Sequence, residues 1–155
     1  HMDRVGLLFT RVFSELIGVT EAMANNITQI LAQGMIDGDG PRLLARKMVA
    51  AIDGTGAGTL GITDKLGRFI PAKRRAEILA RTEIVRAHTI ASLQEYKNWG
   101  VLGLKVKAEF LTAGDDRVCP KCASLEGKVF KIDEAWGIIP VHPCCRCIFL
   151  PVIEN

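Results

Sequence analysis

The first 118 of the chain's 155 residues contain no cysteine, and the whole sequence holds only three histidines, two Trp, one Tyr and six Phe. A disulfide framework spread along the chain is therefore excluded, and so is a surface built from many aromatic platforms for stacking bases. With so few aromatics, the 48% of hydrophobic residues predicts a core of Ala, Leu, Ile and Val carried mainly by helices. No apolar run approaches the roughly 18 residues of a membrane span, so the chain reads as soluble and without a membrane partner. There is no G-x-S-x-G, no P-loop, no H-E-x-x-H and no internal repeat. His1-Met2 reads as the remnant of a cleaved tag and is left out of the chemistry, which leaves His88 and His142.

What is present is unevenly placed. The net charge is +3, yet residues 65–107 hold ten Lys/Arg against three Asp/Glu, while residues 1–64 and 108–155 each hold five against seven. The basic character belongs to the middle of the chain. A length of 155 residues suffices for one sizeable core plus a small appended module, so a metal is not needed for want of core.

Periodicity predicts an α+β protein: a mostly α-helical domain with a long central helix and a small, β-containing, zinc-knuckle-like tail at the C-terminus. Residues 3–53 form a helical lead-in. Val5, Leu8, Phe9, Val12, Phe13 and Leu16 give residues 4–17 an amphipathic stripe. A second helix is expected from Thr20-Glu21 to about Met35, and a third over 41–53, opened by Pro41 after the Gly38-Asp39-Gly40 breaker. Residues 54–70, with five glycines, read as a loop holding a short hairpin near Leu60–Ile70. The core of the protein is then 71–155: a long helix over 71–99, capped by Gly100, and a tail over 106–155 with strands at Val106–Thr112, Gly127–Phe130 and Ile148–Val152.

The tail holds Cys119-Pro-Lys-Cys122 and His142-Pro-Cys-Cys145-Arg-Cys147, all five cysteines of the chain. An odd number of thiols packed this closely favours a metal and a reducing compartment over secretion. Both Cys119–Cys122 and His142–Cys145 follow ligand-Pro-x-ligand, and two such turns complete a tetrahedron of three thiolates and one imidazole. The predicted ligands are Cys119, Cys122, His142 and Cys145, with Cys147 as an alternative and Cys144 the least favoured. A filled set of this kind leaves no open position, so the zinc would be a structural staple. Reduced, buried cysteines with His142 hydrogen-bonded in a turn are the plain alternative, and disulfides come next.

The residues around the cysteines carry a resemblance. Ala80-Arg81-Thr82-Glu83, the segment Leu111-Thr-Ala-Gly-Asp115-Asp116-Arg117-Val-Cys119-Pro-Lys-Cys122, and the closing His142-Pro-Cys-Cys-Arg-Cys147 together resemble the phage Mu protein F-like family of tailed-phage minor head, or head morphogenesis, proteins. The resemblance is closest over 76–152, and the lead-in matches only in style. It implies a protein of the virion interior, in the host cytoplasm during assembly, that works with the phage portal and capsid proteins. One position departs: where the family has a polar residue between His-Pro and Cys-Arg-Cys, this chain has Cys144.

Arg81, Thr82, Glu83 and Asp116 are read as a structural motif. Glu77–Arg81 and Glu83–Arg86 are spaced for helix-surface ion pairs worth only about 0.2–0.5 kcal/mol each. Arg81 and Glu83 could also anchor the helix to the tail near Asp115 or Asp116. Lys73, Arg74, Arg75, Arg81 and Arg86 form the one stretch suited to nonspecific DNA contact, although solvated helix surface is the ordinary explanation. Three readings follow: a non-enzymatic minor head protein, which is favoured; a toxin-type nuclease or ADP-ribosyltransferase joined to such a domain; and a zinc-binding nucleic-acid module. The last is disfavoured by the acidic balance of residues 108–155.

Overall fold

A computed structural model describes residues 21–53, 62–63, 67 and 69–154. The helix expected over 4–17 and most of the glycine-rich stretch lie outside the described residues. The architecture is α+β, combining helices with small antiparallel sheets. The chain divides into two compact units between Arg81 and Thr82.

In the first unit, α1 (Glu21–Asp37) and α2 (Pro41–Asp53) pack on each other through Ile27 and Leu31 on one side and Leu44 and Met48 on the other. They come close at Gly34, where an added Cβ would collide with the Leu44 side chain. The turn between them needs Gly38, whose φ of 76° lets the Asp39 N–H reach the Gly34 carbonyl at 2.7 Å and close the end of α1. Pro41 then opens α2, as its fixed φ favours. Two-residue strands β1 (Ile62–Thr63) and β2 (Phe69–Ile70) pair antiparallel.

Helix α3 (Ala72–Val101) has 30 residues. Gly100 does not cap it. The left-handed residue is Gly103, with φ 93°; its N–H bonds the Gly100 carbonyl at 3.0 Å, and the Leu104 N–H bonds the Trp99 carbonyl at 3.2 Å. That pair of bonds is the Schellman arrangement, and it needs the residue one position past the cap to tolerate positive φ. Both Gly100 and Gly103 satisfy a sequence rule, and only the backbone angles separate them.

The second unit is built on β3 (Lys105–Leu111), the short helix α4 (Pro120–Ala123), β4 (Val129–Lys131), the short helix α5 (Ile132–Ala135) and β5 (Ile148–Glu154). The sheet order is β4-β3-β5, antiparallel throughout, with Phe110 opposite Phe149 and Ala108 opposite both Phe130 and Pro151. Ala108, Phe110 and Phe149 face a core completed by Leu93 and Tyr96 of α3, with Ala135 and Ile139. Phe110 and Phe130 meet Phe149 edge-on, with centroids 5.8 and 6.1 Å apart. The Tyr96 hydroxyl donates to the Phe149 carbonyl at 3.0 Å, which satisfies the one polar atom that this ring carries into the core. Cys122, Cys145 and Cys147 belong to the same buried cluster.

Candidate metal centre

The first knuckle follows from its own residues. Cys119 caps α4, Pro120 takes the first helical position, and the Cys122 N–H donates to the Cys119 sulfur at 3.4 Å. The turn therefore places both sulfurs on one side. In the second knuckle the Cys145 N–H donates to the His142 carbonyl at 3.1 Å, closing a four-residue turn around Pro143 and Cys144. The His142 Nδ1 lies 2.8 Å from the Pro143 carbonyl. A carbonyl can only accept, so Nδ1 is the donor there, and in the neutral ring Nε2, 3.3 Å from the Cys122 sulfur, keeps its lone pair.

These turns bring five donor atoms together. Cys119, Cys122 and His142 have ligand atoms within 4.8 Å of one another, and so do Cys122, Cys145 and Cys147. None of the five cysteines is in a disulfide. Cys144 joins neither group.

The electrostatics suit a cation. The Cys119 thiol is held below its ordinary value, chiefly by the Cys122 N–H that its sulfur accepts. Burial acts to raise Cys145, but hydrogen bonds with the backbone of Cys147 and Val141 outweigh it and the thiol is lowered. Burial pushes Cys147 up to about 11 and raises Cys122 further. Thiols so crowded cannot all ionise against one another, and a divalent ion reverses that balance by deprotonating its ligands outright. Tetrahedral zinc with sulfur and nitrogen ligands needs donors roughly 3.5–3.8 Å apart. The soft donors and the Nδ1 hydrogen bond that orients the imidazole suit such an ion, and within each group the donors lie no more than 4.8 Å apart. Bound there, zinc would supply a cross-link between the two knuckles.

Residues 25–150, most of the chain, match the family described as Phage Mu protein F like protein. The chain belongs to the phage Mu protein F-like family. No curated protein and no solved structure matches it. The match begins within α1, so the family region of this Mu F-like chain extends well beyond the stretch from 76 onward that the motifs alone suggest.

The motif residues of the Mu F-like chain divide sharply. Asp115 accepts both guanidinium nitrogens of Arg146, at 2.5 and 2.6 Å, and the Arg117 N–H closes an Asx turn on Asp115 at 3.1 Å. Arg146 first, and Arg117 after it, hold the Asp115 carboxyl well below the usual carboxylate range. This fork ties the second knuckle to the approach to the first. The acid that pairs is Asp115; Asp116 is exposed, because the Asx turn directs only the first of the two acids inward. Thr82 accepts the Cys144 N–H at 3.0 Å, linking α3 to the second knuckle. Cys144 itself sits at φ 59°, where a short polar side chain or glycine is the usual occupant.

Arg81 pairs with Glu77 at 3.1 Å within the first unit and Arg74 with the same carboxylate at 3.4 Å. Glu83 is not on the helix surface as expected: it is 2% exposed, with Arg86 at 3.7 Å. The reason is legible afterwards. Ala76, Ala80, Glu83 and Ala87 recur at helical spacing, and the three alanines are buried. A count restricted to large apolar residues passes over that alanine row. Arg75 is partly buried, and desolvation lowers its pKa. The Lys73 side chain lies outside the described residues.

Proposed function

We propose that this Mu F-like chain is a structural, non-enzymatic head-morphogenesis component of a tailed phage or prophage. It acts with the portal and capsid proteins inside the virion, and a zinc-class ion staples its C-terminal tail. Family membership over residues 25–150 carries the reading. The convergence of five Cys/His donors on two cross-braced turns supports the staple. A closed structural site leaves no place for a catalytic water, which favours scaffold over enzyme.

DNA contact in this reading is nonspecific and secondary. Arg74, Arg81 and Arg86 each have a carboxylate partner on their own helix, which offsets much of the local positive charge. Binding, if measured, should weaken steeply with salt and ignore sequence. The deciding experiment is co-sedimentation with the cognate portal, together with mass spectrometry of purified virions. Portal association and presence in virions support the proposal. Turnover of DNA, RNA or NAD that is lost in Glu83→Ala or His88→Ala overturns it in favour of a toxin-type enzyme.

A further inference from the structure

The tail offers five donors for the four places of a tetrahedral ion, and burial sorts them. Cys122, Cys145 and Cys147 are 2%, 1% and 4% exposed and form one triad. Cys119 and His142 form the other triad with Cys122, and both are only half-buried. They line an open cleft of about 50 Å³ that also reaches Cys122, Cys147, Arg117 and Arg146. Cys122 is common to both groups. Among the described residues, Cys119 and His142 share a triad with each other but with neither Cys145 nor Cys147.

Resting on the metal-binding reading of the tail, we propose that one zinc-class ion has three permanent ligands, Cys122, Cys145 and Cys147, and that Cys119 and His142 compete for its fourth place from the cleft side. Three dry, soft thiolates hold the ion away from water, as a structural site requires. Each outer donor already stands within 4.8 Å of Cys122, and movement of its knuckle toward Cys145 and Cys147 would complete the tetrahedron. The imidazole is oriented for it by the Pro143 carbonyl, and Cys119 is oriented by the Cys122 N–H.

The exchange balances without any oxidant. With an ion bound, the His142 Nε2 lone pair would take the fourth place as the Cys119 sulfur leaves with its own electron pair. The site then changes from four thiolates, with net charge minus two, to three thiolates and an imidazole, with net charge minus one. Arg117 and Arg146 share the carboxylate of Asp115, and Asp116 also acts on Arg146, so the rim holds two cations and two carboxylates and favours neither form by net charge. The cleft would thus present a Cys119 sulfur that is free whenever His142 is bound.

The test uses the full chain loaded with Zn²⁺ or Co²⁺, with native mass spectrometry for stoichiometry and absorption for the cobalt ligand set. Wild type, Cys119→Ser and His142→Ala should each retain one ion per chain. The cobalt spectra should differ, with thiolate charge-transfer intensity lower in Cys119→Ser than in His142→Ala. The double variant should lose the ion, as should Cys145→Ser and Cys147→Ser. Loss of the ion from either outer single variant overturns the proposal, as does retention in Cys145→Ser or Cys147→Ser. The outer residues are half-buried, so their variants test the proposal even where a buried variant fails to fold. A wild-type chain that binds no ion overturns the metal reading itself; a loaded wild type with the wrong variant pattern overturns only the ligand assignment.

Discussion

Single positions in the tail have separable physical roles. Cys144 occupies left-handed backbone space that costs an ordinary residue about 1–2 kcal/mol, a cost that Asn reduces. Cys144→Asn should therefore raise the unfolding free energy by up to about 1 kcal/mol, while the metal content measured by mass spectrometry stays unchanged. Retained stability with lost metal would instead place Cys144 among the ligands. Asp115 gives a pH dependence of fixed sign. Its folded pKa is depressed, so its stabilising effect is present above the unfolded value near 4 and fades as pH falls through that value and below. With chelator present throughout, wild type should lose more stability than Asp115→Asn between about pH 5 and about pH 2, read by chemical denaturation at each pH. Equal losses would show that the fork with Arg146 does not persist in solution.

At the scale of elements, the close approach of α1 to α2 rests on Gly34. Its buried neighbour Leu44 would collide with any added side chain, so Gly34→Ala should destabilise by about 1–3 kcal/mol despite the better helix propensity of alanine. A thermal melt showing gain in place of loss would mean that the two helices separate easily. Helices α1 and α2 were legible because Gly38, Gly40 and Pro41 punctuate them and Ile27, Leu31, Leu44 and Met48 keep helical spacing. The three strands of the tail were legible to within two residues of their ends, the first of them from its alternation. The last cap of α3 was not, because glycines 100 and 103 differ only in a backbone angle that the packing of the following strand selects. Glu83 was misplaced for a related reason: the inward face of α3 at that point is made of alanines, whose small apolar area barely registers in a hydrophobic pattern.

For the molecule as a whole, the proposed staple predicts a domain-specific effect. Removing the ion should lower the melting temperature of the unit formed by Thr82–Asn155 and expose its thiols to alkylation. The helices of residues 21–53 should keep their hydrogen-exchange protection. Uniform loss of protection in both units on chelation would contradict a staple local to the tail. Unchanged melting would contradict any structural metal.

By itself the sequence determined the class of the fold, the tight turn at Cys119–Cys122 and the family, since turn chemistry and motif spacing are local and survive without knowledge of packing. Only the tertiary structure decided which acid reaches Arg146, that Thr82 holds the Cys144 N–H, and that Cys147 stands in the buried triad with Cys122 and Cys145. Those outcomes depend on where segments tens of residues apart are brought by the β4-β3-β5 sheet, and a spacing rule carries no information about burial.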